Sequence, residues 1–120
     1  MSKKIMLVDD AAFMRMTIKN ALTKAGYDNI VEASDGQIAV ETYQKEHPDL
    51  VIMDITMPNM DGIQALQAIK TVDPQARVVM CSAMGQEGMV VEAIKLGAKD
   101  FIVKPFKQDR ILQTVEKIIG

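Results

Sequence analysis

Apolar runs too short for helices recur along this chain, and three of them stop at charged side chains. Ile5-Met6-Leu7-Val8 leads into Asp9-Asp10, Leu50-Val51-Ile52-Met53 into Asp54, and Phe101-Ile102-Val103 into Lys104-Pro105. A strand buried on both faces reads as an unbroken apolar run, and such strands belong to parallel sheets covered by helices on each side. Open α/β sheets carry their sites at the C-terminal ends of the strands. Two acidic strand ends and one basic strand end suit a divalent cation and a phosphoryl group, and Asp54 is the residue to explain.

The intervening segments read as helices. Strands are expected at about 4–8, 29–33, 50–54, 77–82 and 99–103, with helices at about 12–25, 36–46, 62–70, 87–96 and 108–119. Strict alternation predicts an α/β fold, a doubly wound five-stranded parallel sheet with right-handed crossovers and five flanking helices. The last helix has the clearest period, with Ile111, Leu112, Val115, Ile118 and Ile119 on one stripe. In the first, Met14, Ile18, Ala21, Leu22 and Ala25 share a face, and Gly26 is placed to end it. Asp35-Gly36 marks the entry to the second helix, and Pro48 and Pro74 precede strands.

The 120 residues fit one domain, residues 1–120, and the 48% apolar content can fill a single core. A net charge of −2 with dispersed signs and no Lys/Arg run argues against nucleic-acid binding. No apolar stretch approaches membrane-spanning length, so membrane insertion is not expected. The Met1-Ser2-Lys3-Lys4 start does not read as a signal peptide. Cys81 is the only cysteine, which fits a reducing cytoplasm, and it should be a buried strand residue. His47, the only histidine, reads as a surface residue at a helix end.

Asp9, Asp10 and Asp54 lie together if their strands are neighbours. Carboxylates held close resist joint ionisation, and a bound cation removes the conflict. Magnesium binds through one or two carboxylates and shares phosphate oxygens, whereas the missing Cys/His cluster argues against zinc. Asp9 or Asp10 also fits a cap on the first helix. Asp54 is followed by Ile55 and is not an obvious cap, which leaves it between a polar strand end and a nucleophile. Lys104 could snorkel to solvent or, fixed by Pro105, point an ammonium at phosphate. Ser82, ending the fourth run, could donate to a phosphoryl oxygen or be an ordinary turn serine. Neither a P-loop nor a G-x-G-x-x-G motif is present, and adjacent Asp9-Asp10 fit an Asp-nucleophile phosphatase poorly.

Five segments in order carry a family resemblance: Val8-Asp9-Asp10, the stretch from Met53 to Gly62, Cys81-Ser82-Ala83-Met84-Gly85, Gly97-Ala98 and Lys104-Pro105-Phe106. Over essentially its whole length the chain resembles the receiver domain of bacterial two-component response regulators, most of all the stand-alone chemotaxis type. The resemblance implies a flavodoxin-like fold with strand order 2-1-3-4-5. It implies Asp54 as phosphoacceptor, and Mg²⁺ held by Asp10, Asp54 and the Thr56 backbone carbonyl, with Asp9 acting mostly through a water. Ser82 and Lys104 would contact phosphoryl oxygens. Phe101 would stand at the switch aromatic position and, without a hydroxyl, could act only by ring packing.

The resemblance further implies a monomeric cytoplasmic switch that catalyses only its own phosphorylation and dephosphorylation. Its partners would be a chemotaxis-type histidine kinase, a flagellar motor switch protein and a dedicated phosphatase. Phe13 and Met16 fall outside the core stripe of the first helix and read as a docking patch for a kinase phosphotransfer domain or a phosphatase. Met84, Met89 and Leu96 are expected on an output face formed by the fourth helix, fifth strand and fifth helix. The rival readings are a phosphorelay intermediate carrier of the sporulation type and, from another class, a small phosphatase or flavodoxin-like binder.

Overall fold

A computed structural model describes residues 3–120; Met1 and Ser2, part of the basic start discussed above, lie outside it. The elements alternate strictly: β1 (Lys4–Val8), α1 (Ala12–Lys24), β2 (Asn29–Ala33), α2 (Gly36–Glu46), β3 (Leu50–Asp54), α3 (Gly62–Val72), β4 (Val78–Ser82), α4 (Glu87–Lys95), β5 (Asp100–Val103) and α5 (Gln108–Ile119). All strand pairs are parallel, in the order β2-β1-β3-β4-β5 that the family resemblance implies. Among the described residues, no helix is long and apolar enough to cross a membrane.

Successive side chains of a strand point to opposite faces, and each central strand divides its apolar run between two cores. Ile5, Leu7, Leu50, Ile52, Val79 and Cys81 pack with Ile18 and Leu22 of α1 and Ile111, Val115 and Ile119 of α5. Met6, Val8, Val51, Met53, Val78 and Met80 pack under α2, α3 and α4. Fully burying one such side chain contributes about 1.5–3 kcal/mol, which is why the interiors of the central strands β1, β3 and β4 hold no charged residue and the charges collect at their ends. Only Ile102 of β5 is buried, as befits the edge strand.

The helix ends show where local chemistry overrode pattern. At the end of α1, Gly26 takes φ +96°, its N–H bonds the Thr23 carbonyl and the Tyr27 N–H bonds that of Leu22; this closed turn leaves Ala25 exposed rather than on the core stripe. Helix α3 runs two residues further than its pattern indicated, to Val72 before Asp73. The expected acidic cap on α1 is absent: its N-cap is Ala11, with no side-chain cap. Asp35 caps α2, accepting the Ile38 N–H at 2.8 Å. Asp61 and Gln64 form a reciprocal capping box on α3.

Candidate functional site

The register of the central strands assembles the charged ends. Val8 lies beside Met53 and Asp54 beside Cys81, so Asp9, Asp54 and Ser82 emerge at one edge of the sheet. One carboxylate oxygen from each of Asp9, Asp10 and Asp54 lies within 4.8 Å of the others. Asp9 is almost fully buried, Asp54 half-buried and Asp10 exposed, so the cluster opens to solvent through Asp10.

Lys104, one residue beyond β5, reaches back across β4. Its Nζ donates to Asp9 Oδ2 at 3.0 Å and lies 3.3 Å from Asp54 Oδ2. The Lys104 N–H bonds the Ser82 carbonyl at 2.7 Å, and the Lys104–Pro105 bond is cis. Burial pulls the lysine pKa down, but the hydrogen bond to Asp9 and the charge of Asp54 outweigh it, and the ammonium is held firmly protonated. Asp54 moves up from the usual carboxylate range, because burial outweighs the Lys104 charge and Asp9 adds repulsion. Its Oδ1 accepts the Ile55 N–H at 2.9 Å, which fixes the carboxylate plane.

Asp9 does not cap α1 because its oxygens are engaged elsewhere. Oδ1 accepts the Ala11 N–H at 2.9 Å, and Oδ2 takes Lys104. Its backbone carbonyl accepts from the Arg15 guanidinium, which also pairs with Glu32 at 3.0 Å. Three carboxylates against one ammonium leave a formal charge of −2 on hard oxygen donors. That set fits a magnesium-like cation and offers no soft ligand. Cys81, which pairs with Asp54 across the β3–β4 register, is buried in β4 with its thiol pushed up to about 12 by burial, and is inert at neutral pH.

The loop from Asp54 to α3 is pinned against the site. Gly62 sits so close that a Cβ there would lie 2.1 Å from the Asp54 carbonyl oxygen and 2.9 Å from Ile55 Cα. Gly36 at the start of α2 donates to the Met60 carbonyl at 3.1 Å, and its own added Cβ would meet that oxygen at 2.3 Å. Asn59, at φ +66°, donates to Asp35 at 2.8 Å. Sequence reasoning quoted this loop but gave no role to Asn59 or Gly62; Asn after Pro58 and Gly after Asp61 are turn signals that mark them. It also passed over Gln86, whose side chain reaches Thr56 across two loops.

Of the expected surface residues, Phe13 and Met16 are exposed on α1 at 74% and 52%. Met84 is 81% exposed, but Met89 and Leu96 are not on the outer face. Both are partly buried against the core under α2, α3 and α4. The apolar residues that α4 and β5 do expose are Val91, Ile94, Phe101 and Val103. With Met84 they line an open groove of about 670 Å³ that runs from Ser82 to Phe101. Phe101 is held through its carbonyl by Arg110 of α5 at 2.9 Å.

The chain is similar at full length to the chemotaxis protein CheY of Bacillus subtilis, with 59% identity over 120 residues covering 100% of both chains. The chemotaxis protein CheY of Thermotoga maritima is 55% identical over 98% of both. Among solved structures, the CheX-CheY-BeF3-Mg complex from Borrelia burgdorferi superposes with a TM-score of 0.93 at 39% identity, covering 98% of this chain and 90% of that one. The model of the response regulator receiver domain matches residues 5–116, and with the fold and the acidic strand ends this chain belongs to the response regulator receiver domain family.

Proposed function

We propose that this protein is a phosphorylation-dependent switch of a two-component system, with Asp54 as its phosphoacceptor. The observation that carries the reading is Lys104 bridging Asp9 and Asp54 at an acidic mouth that opens through Asp10. A phosphohistidine or small acyl phosphate places its phosphorus in line with an Asp54 oxygen. The new P–O bond forms as the bond to the leaving imidazole or carboxylate breaks, giving an aspartyl phosphate.

The residues divide the work. Ile55 orients the acceptor carboxylate through its N–H. Lys104, already beside Asp54, moves its ammonium onto the phosphoryl oxygens as the carboxylate is consumed, and Ser82 at the end of β4 donates its hydroxyl. Asp9, Asp10, Asp54 and the Thr56 carbonyl are the groups that would hold Mg²⁺. When bound, the ion supplies positive charge to the phosphoryl oxygens. No further turnover is implied: the protein catalyses its own phosphorylation and dephosphorylation.

Phosphorylation adds charge and acceptor oxygens, which act on Ser82 and, through the groove, on the Phe101 ring. The output is a change in the apolar face of α4, β5 and α5 rather than a released product. The named relatives support chemotaxis as that output; a chemotaxis-type histidine kinase upstream, a flagellar motor switch protein downstream and a cytoplasmic location are proposed with it. The Borrelia relative was solved with CheX, BeF3 and Mg, which supports a further protein partner for this chain, and a dedicated phosphatase is the third partner proposed. Phe13 and Met16 beside the acidic mouth are the contacts offered to a kinase or phosphatase.

Incubation with acetyl phosphate and Mg²⁺, read on a phosphate-retarding gel, tests the reading. One acid-stable, base-labile adduct is expected on the wild type, none on Asp54→Ala and none with chelator. An unmodified wild type, or an adduct that survives Asp54→Ala, overturns the assignment.

A further inference from the structure

Gln86 has no place in the chemistry above, yet its side chain joins the two loops that border the acceptor. β4 ends at buried Ser82, turns through Ala83-Met84-Gly85 with Gly85 at φ +93°, and reaches Gln86 just before α4. Gln86 does not cap the helix it precedes. Its amide turns back: Oε1 accepts the Ala83 N–H at 2.6 Å, and Nε2 donates to Thr56 Oγ1 at 2.8 Å. Thr56 lies two residues beyond Asp54, and Ala83 one beyond Ser82. A single planar amide thus ties the peptide following the phosphoryl-contacting hydroxyl to the loop following the acceptor.

The two loops differ in what else holds them. The Thr56 loop is fixed by Gly36, Asn59, Asp61 and Gly62. Around Gly85 a Cβ would meet nothing within 4 Å, and α4 has no side-chain cap. Thr56 is therefore the anchor, and the Ser82–Gly85 turn is the part the amide restrains.

We propose that Gln86 is a positioning residue that latches the β4–α4 turn in its unphosphorylated place. Drawing the Ser82 hydroxyl onto a phosphoryl oxygen moves the Ser82–Ala83 peptide, and the Ala83 N–H and Thr56 hydroxyl must give up the amide. The latch opposes the switched state without touching the reacting atoms. It rests on the phosphoacceptor reading of Asp54, because it needs a phosphoryl group to pull Ser82.

Beryllofluoride, which binds a carboxylate oxygen and stands in for the phosphoryl group, tests it at equilibrium; ¹⁹F NMR or calorimetry reads its affinity in Mg²⁺. Gln86→Met keeps the side-chain length and removes both hydrogen bonds. It should tighten beryllofluoride binding about fivefold, the factor matching about 1 kcal/mol of hydrogen bonding released. Affinity for Mg²⁺ alone should stay within about twofold, since a merely structural defect would move both. Thr56→Val should tighten binding less, and Gln86→Met on that background should add less than it does alone. Unchanged or weaker binding by Gln86→Met, with the wild type binding normally, overturns the latch and leaves Asp54 as acceptor. A wild type that takes up no beryllofluoride overturns both.

Discussion

Two loops flank the Asp54 carboxylate, and they are built in opposite ways. The β3–α3 loop is crowded: the Gly62 backbone touches the Asp54 carbonyl, Met60 is bonded by Gly36, Asn59 by Asp35, and Asp61 closes α3 with a capping box. The β4–α4 loop and the first turn of α4 have open space around Gly85 and Gly88, no side-chain cap on the helix, and a groove lined by exposed apolar side chains. Phosphoryl transfer needs the acceptor and its charges fixed before reaction. A readout needs a segment that moves at little cost, and such segments come from the weakly held parts of a structure. With Asp54 as the proposed phosphoacceptor, the difference amounts to a division of labour: the crowded loop would hold the chemistry and the open loop would report it.

The largest effect expected from this contrast comes from Gly62→Ala. Its Cβ would sit 2.1 Å from the Asp54 carbonyl oxygen and 2.9 Å from Ile55 Cα, both backbone atoms that cannot step aside. Overpacking of this kind costs about 3 kcal/mol or more, and the displaced strand end would also blunt acceptance of phosphate from acetyl phosphate. Urea unfolding measures the first and the phosphate-retarding gel the second. A Gly62→Ala protein with wild-type stability would show that the β3–α3 loop gives way as easily as its neighbour.

A smaller effect, opposite in sign, separates two carboxylates of the crowded side. Asp35 is held below the usual range by the Ile38 N–H and the Asn59 amide, so its charge stabilises the fold above pH 4 or so, until acid protonates it. Asp54 is shifted the other way, chiefly by burial. The folded state binds the Asp54 proton more tightly than the unfolded chain, and its ionisation at neutral pH costs stability. That cost is full above the folded-state pKa, shrinks as pH falls through it, and is gone below the unfolded value of about 3.9. Asp54→Asn should therefore raise Tm at pH 7 in metal-free buffer, with Lys104 still paired to Asp9, and lose the advantage below about pH 4. A lower Tm at pH 7 would make Asp54 a structural carboxylate like Asp35 rather than one kept ready to react.

The crowded side was legible in the sequence to a degree that the open side was not. Apolar runs ending at Asp9 and Asp54 announce buried strands and a charged edge, because a strand covered on both faces reads as an unbroken apolar run, whereas the run before Lys104 is an edge strand in which only Ile102 is buried. Asp35-Gly36 marked the turn into α2 for a similarly local reason, and Asp35 caps that helix. Helix α4 defeats the same logic: Met89, Val90, Val91, Ala93, Ile94 and Leu96 put apolar groups around most of its circumference, and nine residues are too few for period to choose a face. Met89 and Leu96 consequently went to the wrong side, and Val91 and Ile94 were passed over. Gln86–Thr56, Gly36–Met60 and Gly62–Asp54 depend on strand register and on loops brought together across the sheet, which no local pattern encodes.

The smallest expected effect is the sharpest test of the open side, because it repeats the Gly62 substitution where the surroundings differ. Gly88 lies in the first turn of α4, and a Cβ there meets nothing within 4 Å. Alanine loses less backbone freedom than glycine on entering a helix, so Gly88→Ala should stabilise the protein by about 0.5 kcal/mol in urea unfolding. The same methyl group is thus expected to harm one loop and help the other. A destabilised Gly88→Ala would mean that α4 is packed against neighbours as tightly as α3, and the two loops would no longer differ in the way a fixed site and a movable reporter must.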